Sequence, residues 1–386
     1  MRGRGNGNMR RAAVTMMLWI MIAGMTAHAA ELTGIQAKSA LLMSEDGTVL
    51  FEQNADESLP PASVTKVMTM LLTMEAIDDG RVSLDDKITA SAHASAMGGT
   101  QIYLKEGEQM PLRDMLKAIA VGSANDAAVA VAEHLGGSED AFVQQMNERA
   151  KQLGCTGTTF VNPNGLDTDG EETKTTARDL ARMSQELMRH SAIFDYTTIW
   201  MDTVRDGTFQ LANTNKLLRQ YDGLTGLKTG YTSTAGFCMS ATAEREGMTL
   251  IAVVMAEPNK QARNADVTAM LNYGFANYGM VSVLETGYAL PEIKVTLGKQ
   301  TALRLELEDE TPVLLPKEHA ERVERSIEIE ESVTAPVESG QKVGEVVLMT
   351  GGEEVARRNI VTVSAVEKKG ISDVYCDLLG ILLMKS

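Results

Sequence analysis

The stretch that decides the fold is Pro60-Pro61-Ala62-Ser63-Val64-Thr65-Lys66-Val67-Met68-Thr69-Met70-Leu71-Leu72. Paired prolines are excluded from a helix interior but suit the first turn of a helix. Apolar side chains then recur at helical spacing and predict a helix of about four turns with one apolar stripe, formed by Val67, Met70, Leu71, Met74 and Ile77. Ser63 therefore falls at the helix start, with Lys66 three residues on and on the same face.

A hydroxyl at a helix start beside an amine on the same face is a candidate nucleophile–base pair. The alternative is a serine N-cap followed by a surface lysine. Spacing alone does not separate the two, because Ser339-Gly340-Gln341-Lys342 has the same spacing and is predicted to be a turn between strands. The interpretation therefore depends on the rest of the chain.

Residues 1–30 have the pattern of a secretory signal peptide. Four arginines precede an apolar run from Ala12 to Met25, and Ala27-His28-Ala29 is a small-x-small cleavage site. The alternative is an uncleaved anchor. The sequence therefore predicts an exported protein.

The charge balance excludes several classes of partner. Residues 1–30 carry four arginines and no acidic residue, so the remaining chain has 32 basic against 52 acidic residues, a formal net charge of −20. Nucleic-acid binding is not expected, because no basic stripe is present to neutralise phosphates. The three cysteines are far apart and no Cys/His cluster has metal-ligand spacing, so neither a disulfide framework nor a metal or other cofactor is expected.

Strand-rich segments flank a helical middle in residues 31–281. Residues 37–43 and 48–51 predict one hairpin, and residues 237–242 and 249–255 predict another. Residues 81–97 are predicted to be irregular. Helices are predicted over 112–121, 127–135, 138–153, from a cap at Thr175 or Thr176 to Leu187, and over 267–278. This order predicts an α+β domain, an antiparallel sheet with helices packed on it.

The texture changes after residue 282. Short alternating runs separated by turn signals predict a small all-β domain over 282–370. Residues 371–386 are apolar but shorter than a membrane span. Two interpretations of this tail stay open: an amphipathic helix in peripheral contact with a membrane, or a terminal helix packed on its own domain.

Three short motifs stand in order along the chain: Ser63-Val64-Thr65-Lys66, Ser123-Ala124-Asn125 and Lys228-Thr229-Gly230. This motif set occurs in penicillin-recognising serine enzymes. The chain resembles the low-molecular-weight penicillin-binding proteins that are serine-type D-Ala-D-Ala carboxypeptidases. The resemblance extends over roughly residues 31–370 and includes Phe160–Asp167, with its Asn-Pro-x-Gly-Leu pattern, and Asn213–Leu218.

The resemblance implies a β-lactamase/transpeptidase-like domain followed by the small β-domain, and a function in peptidoglycan biosynthesis and cell shape. The implied reaction removes the C-terminal D-alanine from peptidoglycan pentapeptide stems through a Ser63 acyl-enzyme, which β-lactams also form. Lys66 is the implied base, since none of the five histidines lies in a motif. Its pKa must then be depressed from about 10.4 by burial and by a nearby cation, for which Lys228 is the candidate. Ser123 would relay the proton.

The remaining implied residues bind the substrate. Asn125 would hydrogen-bond the substrate amide and orient Lys66, while Lys228 and Thr229 would hold the terminal carboxylate. Gly230 would admit the substrate backbone, and the N–H groups of Ser63 and Tyr231 would form the oxyanion hole. Tyr231 departs from relatives that have His at this position. Arg263 is predicted to be a further ligand of the terminal carboxylate. The alternative is an arginine on the protein surface.

Three other functions remain as alternatives. A β-lactamase would need a carboxylate to activate water, and Glu171 and Glu172 lie in the right interval but without a Glu-x-x-Leu-Asn pattern. A catalytically silent wall-binding protein would keep the fold without forming a penicillin adduct. A D,D-endopeptidase would act on cross-links and would not need Lys228 to hold a terminal carboxylate.

Overall fold

Five strands form an antiparallel sheet at the centre of the N-terminal region, in the order β2-β1-β9-β8-β7. The computed structural model describes residues 32–167, 170 and 172–383; the predicted signal peptide and Glu171 lie outside these described residues. Strands are numbered in chain order: β1 (Ser39–Ser44), β2 (Val49–Gln53), β3 (Lys87–Thr89), β4 (Gln109–Pro111), β5 (Met201–Val204), β6 (Phe209–Ala212), β7 (Leu224–Thr232), β8 (Gly236–Arg245), β9 (Met248–Glu257) and β10 (Tyr278–Val281).

Both predicted hairpins are confirmed. In the first, β1 pairs with β2, and in the second, β8 pairs with β9 up to Arg245 opposite Met248. The two hairpins join because β1 also pairs with β9, with Leu41 opposite Val253. This pairing brings the beginning and the end of the region into one sheet and leaves β7 at its edge.

The helices cover both faces of this sheet. They are α1 (Lys66–Asp78), α2 (Ala92–Ser95), α3 (Leu112–Ala120), α4 (Asn125–Gly136), α5 (Glu139–Gln152), α6 (Ala177–Met188), α7 (Phe194–Thr197) and α8 (Lys260–Asn277). Alternate residues of β1 point to opposite faces, so Leu41 packs with the α1–α6 side and Leu42 with the α8 side. The α+β architecture expected from the sequence is therefore confirmed.

Helix α1 is buried on all sides over most of its length. Every residue from Lys66 to Met74 is buried, as is Ala76. The prediction of a single apolar stripe was therefore too narrow. The helix packs against α3, α4, α5 and α6 and against β7, so its first two turns are enclosed.

Two further features differ from the sequence prediction: the structure of residues 81–97 and the start of α8. Residues 81–97 are not wholly irregular, because they contain β3 and α2. Helix α8 begins at Lys260 rather than near residue 267. Asn259 caps it, since its side-chain oxygen accepts a hydrogen bond from the Ala262 N–H at 2.8 Å.

The chain beyond residue 282 is built mainly from strands. These are β11 (Ile293–Thr296), β12 (Ala302–Leu303), β13 (Leu305–Leu307), β14 (Val313–Pro316), β15 (Glu324–Ile329), β16 (Ser332–Thr334), β17 (Lys342–Thr350) and β18 (Glu353–Thr362). They enclose a separate apolar cluster that includes Val346, Leu348 and Ile360. A single-turn helix, α9 (Lys317–Ala320), follows β14, and β14 pairs with β10.

The described chain ends in α10 (Ile371–Leu383). Ile371, Tyr375, Leu378 and Ile381 of this helix are exposed. Among the described residues, no helix combines the length and the apolar character needed to cross a membrane.

Candidate active site

Ser63 lies in a tight helical turn directly before α1. The turn spans Ala62–Thr65 as a 3-10 helix, and Ala62 has a positive φ of 49°, which is strained for a residue with a Cβ. Pro61 precedes the turn and is buried. Ser63 is half-buried and lines a cavity of about 330 Å³. The local fold therefore presents the hydroxyl of Ser63 to an open cleft.

Lys66 is fully buried and reaches back to Ser63. Its Nζ lies 3.0 Å from the Ser63 Oγ, 2.7 Å from the Asn125 Oδ1 and 2.7 Å from the Asn164 carbonyl oxygen. The last two groups are acceptors only, so they take two N–H donors from Nζ. A neutral amine has two N–H groups and one lone pair. The lone pair then faces the Ser63 hydroxyl.

The surroundings of Lys66 favour this neutral form. Burial is the main cause that holds the pKa of Lys66 well below its usual value, and the positive charge of Lys228 acts in the same direction. The negative charge of Asp126 opposes both effects in part. These effects shift Lys66 towards the neutral amine, which is the form that a general base requires.

The second motif lies where α3 passes into α4. Ser123 has a positive φ of 62° and lines the same cavity as Ser63. Asn125, the first residue of α4, is buried, and its Nδ2 donates to the Gly98 carbonyl at 2.8 Å while its Oδ1 accepts from Lys66. Both polar groups of the Asn125 amide thus have one partner, which fixes the orientation of the side chain and leaves each group the capacity for a second hydrogen bond.

The Asn164 carbonyl is a functional group that the sequence analysis missed. It accepts a hydrogen bond from Lys66, and the loop that carries it is held by Asn162, whose Oδ1 accepts from the Gly165 N–H at 2.6 Å. Gly165 has a φ of 78°, and a Cβ there would lie 1.9 Å from the Ala62 carbonyl oxygen. The Asn-Pro-x-Gly pattern was the available signal, but a main-chain acceptor has no side-chain signature.

The third motif forms the end of the edge strand β7. Gly230 packs against the Ser63 turn, since a Cβ at Gly230 would lie 2.5 Å from the Pro61 carbonyl oxygen and 3.1 Å from the Ser63 nitrogen. Tyr231 is 56% exposed, and its ring stacks on that of Phe237 at a centroid separation of 4.2 Å. Only glycine fits between strand and turn, so the backbones of residues 63 and 231 border one cleft.

Lys228 and Thr229 bring polar groups to this strand. Lys228 is buried and donates from Nζ to the Thr229 carbonyl at 2.8 Å. Burial, and then the charge of Arg263, lowers the pKa of Lys228 to about 7. The Thr229 hydroxyl lines the cavity and donates to the Thr214 hydroxyl at 2.7 Å.

Arg263 lies in the first turn of α8 and lines the cavity, although it is only 5% exposed. Its guanidinium donates from Nε and Nη2 to the Asn264 Oδ1, at 3.2 and 2.9 Å. Burial lowers its pKa to about 10. Arg263 is therefore a buried side chain at the cavity, and its role as a carboxylate ligand stays a prediction.

The cavity also contains residues that were not predicted to belong to the site, although Thr214 and Lys216 lie in the Asn213–Leu218 segment named for the resemblance. They are Thr100, Thr214, Lys216, Phe237, Lys260 and Asn264. No acidic residue lines the cavity, whereas Lys216, Lys260 and Arg263 do. Within the described ranges, no group of three or more His, Cys, Asp or Glu side chains is placed to hold a metal ion. The cleft thus combines a serine, a buried amine and an excess of cations suited to an anionic ligand.

Comparisons with known proteins agree with this geometry. Residues 24–259 match the family model described as D-alanyl-D-alanine carboxypeptidase. Residues 278–368 match the model described as penicillin-binding protein 5, C-terminal domain. The D-alanyl-D-alanine carboxypeptidase DacF of Bacillus subtilis is 41% identical over 340 residues, which cover 87% of each chain.

Solved structures show the same likeness. Penicillin-binding protein 5 from Haemophilus influenzae has a TM-score of 0.73 at 29% identity and covers 87% of this chain and 99% of its own. Penicillin-binding protein D2 from Listeria monocytogenes, in an ampicillin-bound form, has a TM-score of 0.58 at 36% identity and covers 62% of this chain and 98% of its own. The chain therefore belongs to the D-alanyl-D-alanine carboxypeptidase family of penicillin-binding proteins.

Proposed function

We propose that this protein is a serine-type D-Ala-D-Ala carboxypeptidase that removes the terminal D-alanine from peptidoglycan pentapeptides. The observation that carries the proposal is the buried Lys66 amine, 3.0 Å from the Ser63 Oγ and bonded to two fixed acceptors. An unassisted serine hydroxyl is a weak nucleophile, and this arrangement supplies the missing base.

In the acylation step, Ser63 Oγ attacks the carbonyl carbon between the last two D-alanines while Lys66 takes the hydroxyl proton. The N–H groups of Ser63 and Tyr231 bind the oxyanion, and Gly230 permits their close approach. Loss of one such donor typically costs about 100- to 1,000-fold in rate. Ser123 passes a proton to the leaving amine, and D-alanine departs. Water then hydrolyses the ester and restores Ser63.

The terminal carboxylate of the substrate binds at the cationic end of the cleft. Lys228 and Thr229 hold it, the Thr229 hydroxyl turning from Thr214 to the carboxylate, together with Arg263, whose burial leaves the guanidinium in a weakly screened site. Asn125 hydrogen-bonds the substrate amide and orients Lys66. The substrate backbone runs along the free edge of β7, as peptides do when they extend a sheet. β-Lactams, which carry a carboxylate and a strained amide, acylate the same serine.

The proposal also covers the organisation of the chain. Residues 1–30 act as a signal peptide for export to the outer face of the cytoplasmic membrane and the cell wall. Residues 31–281 form the catalytic domain, residues 282–370 the small β-domain, and residues 371–386 a tail in peripheral contact with the membrane. The exposed apolar residues of α10 support this contact.

The function is tested by D-alanine release from a pentapeptide ending in D-Ala-D-Ala, together with fluorescent-penicillin labelling. The proteins are residues 31–386 and the Ser63→Ala variant. We expect release and labelling in the unmodified protein and neither in the variant. Labelling with rapid, sustained β-lactam turnover would indicate a β-lactamase. Release only from cross-linked peptides would indicate an endopeptidase, and no adduct from a folded protein would indicate a wall-binding protein.

The membrane contact is tested by co-sedimentation with vesicles of phosphatidylglycerol and phosphatidylethanolamine. Deletion of residues 371–386 is expected to abolish sedimentation and leave D-alanine release unchanged. Equal sedimentation of both forms would reject the contact.

A further inference from the structure

Glu257 is a buried carboxyl group that the proposed reaction does not use. It ends β9, directly before the turn into α8, and is 1% exposed. Among the residues that the structure describes, neither of its carboxylate oxygens has a hydrogen-bond donor. An ionised carboxylate without a donor is costly in such a place, so this group is expected to hold a proton.

A second carboxyl group, that of Asp266, lies beside Glu257. Asp266 lies on α8 and is buried, and its Oδ2 accepts the backbone N–H groups of Gln36 at 2.5 Å and Ala37 at 2.9 Å. These two hydrogen bonds fix the position of the Asp266 carboxyl group. Two adjacent buried carboxyls do not both ionise. Burial first, and Asp266 second, raise the pKa of Glu257 to about 8, with Arg263 opposing in part.

Arg263 is the cation whose charge acts on Glu257. It lies three residues before Asp266 on α8, hence on the same face. Its guanidinium donates to the neutral side chain of Asn264 and forms no salt bridge within the part of the chain that the structure describes. Its charge is therefore available to a ligand in the cleft while Glu257 is protonated.

We propose that Glu257 is a positioning residue: protonated against Asp266, it leaves the Arg263 guanidinium free for the substrate carboxylate, and ionised, it competes for that guanidinium. The inference rests on the proposed function of Arg263. The charged and titratable groups that face Glu257 are Asp266 and Arg263 from α8 and Cys238 from β8. Lys228 on β7 faces Arg263.

The test compares two peptides that differ only at the terminus. A pentapeptide ending in D-Ala-D-Ala and its C-terminal amide are titrated against the Ser63→Ala protein between pH 6.5 and 9.5. The dissociation constant of the amide divided by that of the free acid measures how strongly the protein recognises the terminal carboxylate. We expect the ratio to fall with rising pH, because Lys228 loses its proton and Glu257 ionises. In the Glu257→Gln variant this fall should be about tenfold smaller, because the charged hydrogen bond from Arg263 to the substrate carboxylate is retained at high pH.

A second variant should move the profile the other way. Asp266→Asn removes the negative charge that keeps the proton on Glu257, so the fall should begin at lower pH. Glu244→Gln is the matched control, because Glu244 is an exposed carboxylate at the other end of the same hairpin. Superimposed profiles for the parent and Glu257→Gln would overturn the proposal. Equal binding of both peptides by the parent would overturn the carboxylate site itself, and the unmodified protein's D-alanine release shows which of the two has failed.

Thermal unfolding gives a readout that does not depend on substrate. The pKa of Glu257 is raised from 4.5 to about 8, so the folded state keeps a proton that the unfolded state loses between these values. Stability then falls as pH rises through this window. Glu257→Gln should therefore gain melting temperature relative to the unmodified protein from pH 5 to pH 8. A difference in melting temperature that is the same at every pH would contradict a proton held by Glu257 in the folded state.

Discussion

The same four-residue pattern occurs twice in this chain with opposite results. Lys66 is fully buried and its Nζ lies 3.0 Å from Ser63. Lys342 is exposed and bonds instead to Glu345, while Ser339 donates to the Val363 carbonyl. The first pattern crosses from a 3-10 turn into a buried helix, whereas the second crosses from a turn into β17. Helical geometry brings residues that are three positions apart together, and burial lowers the pKa of the Lys66 amine.

The largest difference between the two regions should follow from removal of each amine. Lys66→Met leaves Ser63 without its base, and we expect penicillin acylation to slow by about 100- to 10,000-fold. Lys342→Met should change the rate less than about twofold. Time-resolved labelling with fluorescent penicillin measures both. Acylation of Lys66→Met at the unmodified rate would mean that another group activates Ser63.

A smaller effect is expected from an added methyl group at the glycine of each region. Gly230→Ala places a Cβ 2.5 Å from the Pro61 carbonyl oxygen, which must displace the Ser63 turn or β7. We expect acylation to slow by about 10- to 100-fold, because the oxyanion donors move. Gly340 has a φ of 76° with open space around it.

Gly340→Ala should therefore cost about 1 kcal/mol of stability and no activity. Labelling rates and melting temperatures of the two variants separate a steric effect at the site from backbone strain elsewhere. Equal loss of activity in both would remove the distinction between the regions.

The stability cost of a buried amine is expected to depend on pH. The pKa of Lys228 falls from 10.5 to about 7 on folding, so between these values the unfolded state binds the extra proton and stability rises with pH. Lys228→Met should raise the melting temperature by a few degrees at pH 7 and below, and this gain should shrink towards pH 10.5. Lys342→Met should show no such trend. A pH-independent difference for Lys228→Met would indicate an amine that is not desolvated.

The smallest effect should come from the second serine. Ser339→Ala loses one exposed hydrogen bond to Val363, and we expect a change in stability within about 0.5 kcal/mol. Its D-alanine release should equal that of the unmodified protein. Impaired release would mean that the β-region contributes to catalysis in a way the cleft does not show.

Local signals predicted much of the fold. Each predicted hairpin has a glycine between its strands, Gly47 in the first and Gly247 in the second, and both glycines have the positive φ that such turns need. Helix α8 was predicted seven residues too short, since the cap at Asn259 was not recognised. The burial of α1 on every side was also missed, because it depends on neighbours that are distant in sequence.

The candidate site divides in the same way. Side chains in the three motifs were predicted, and the structure brings Ser63, Ser123, Thr229, Gly230, Tyr231 and Arg263 to one cavity. The Asn164 carbonyl, the Thr214 hydroxyl and the Glu257 carboxyl were not predicted. The first acts through its main chain, and the other two matter only because of what lies beside them.

The sequence by itself determined the two hairpins, most of the longer helices, the place of Ser63 at a helix start and the set of chemical groups, because prolines, glycines and apolar spacing act over a few residues. The tertiary structure alone decided which of the two lysines, Lys66 or Lys342, is buried beside a serine. Folding places Lys66 beside Asn125 and Asn164, 59 and 98 residues further along the chain, and removes it from water. Desolvation and the charge of Lys228 then depress its pKa, and neither effect exists until distant segments pack together.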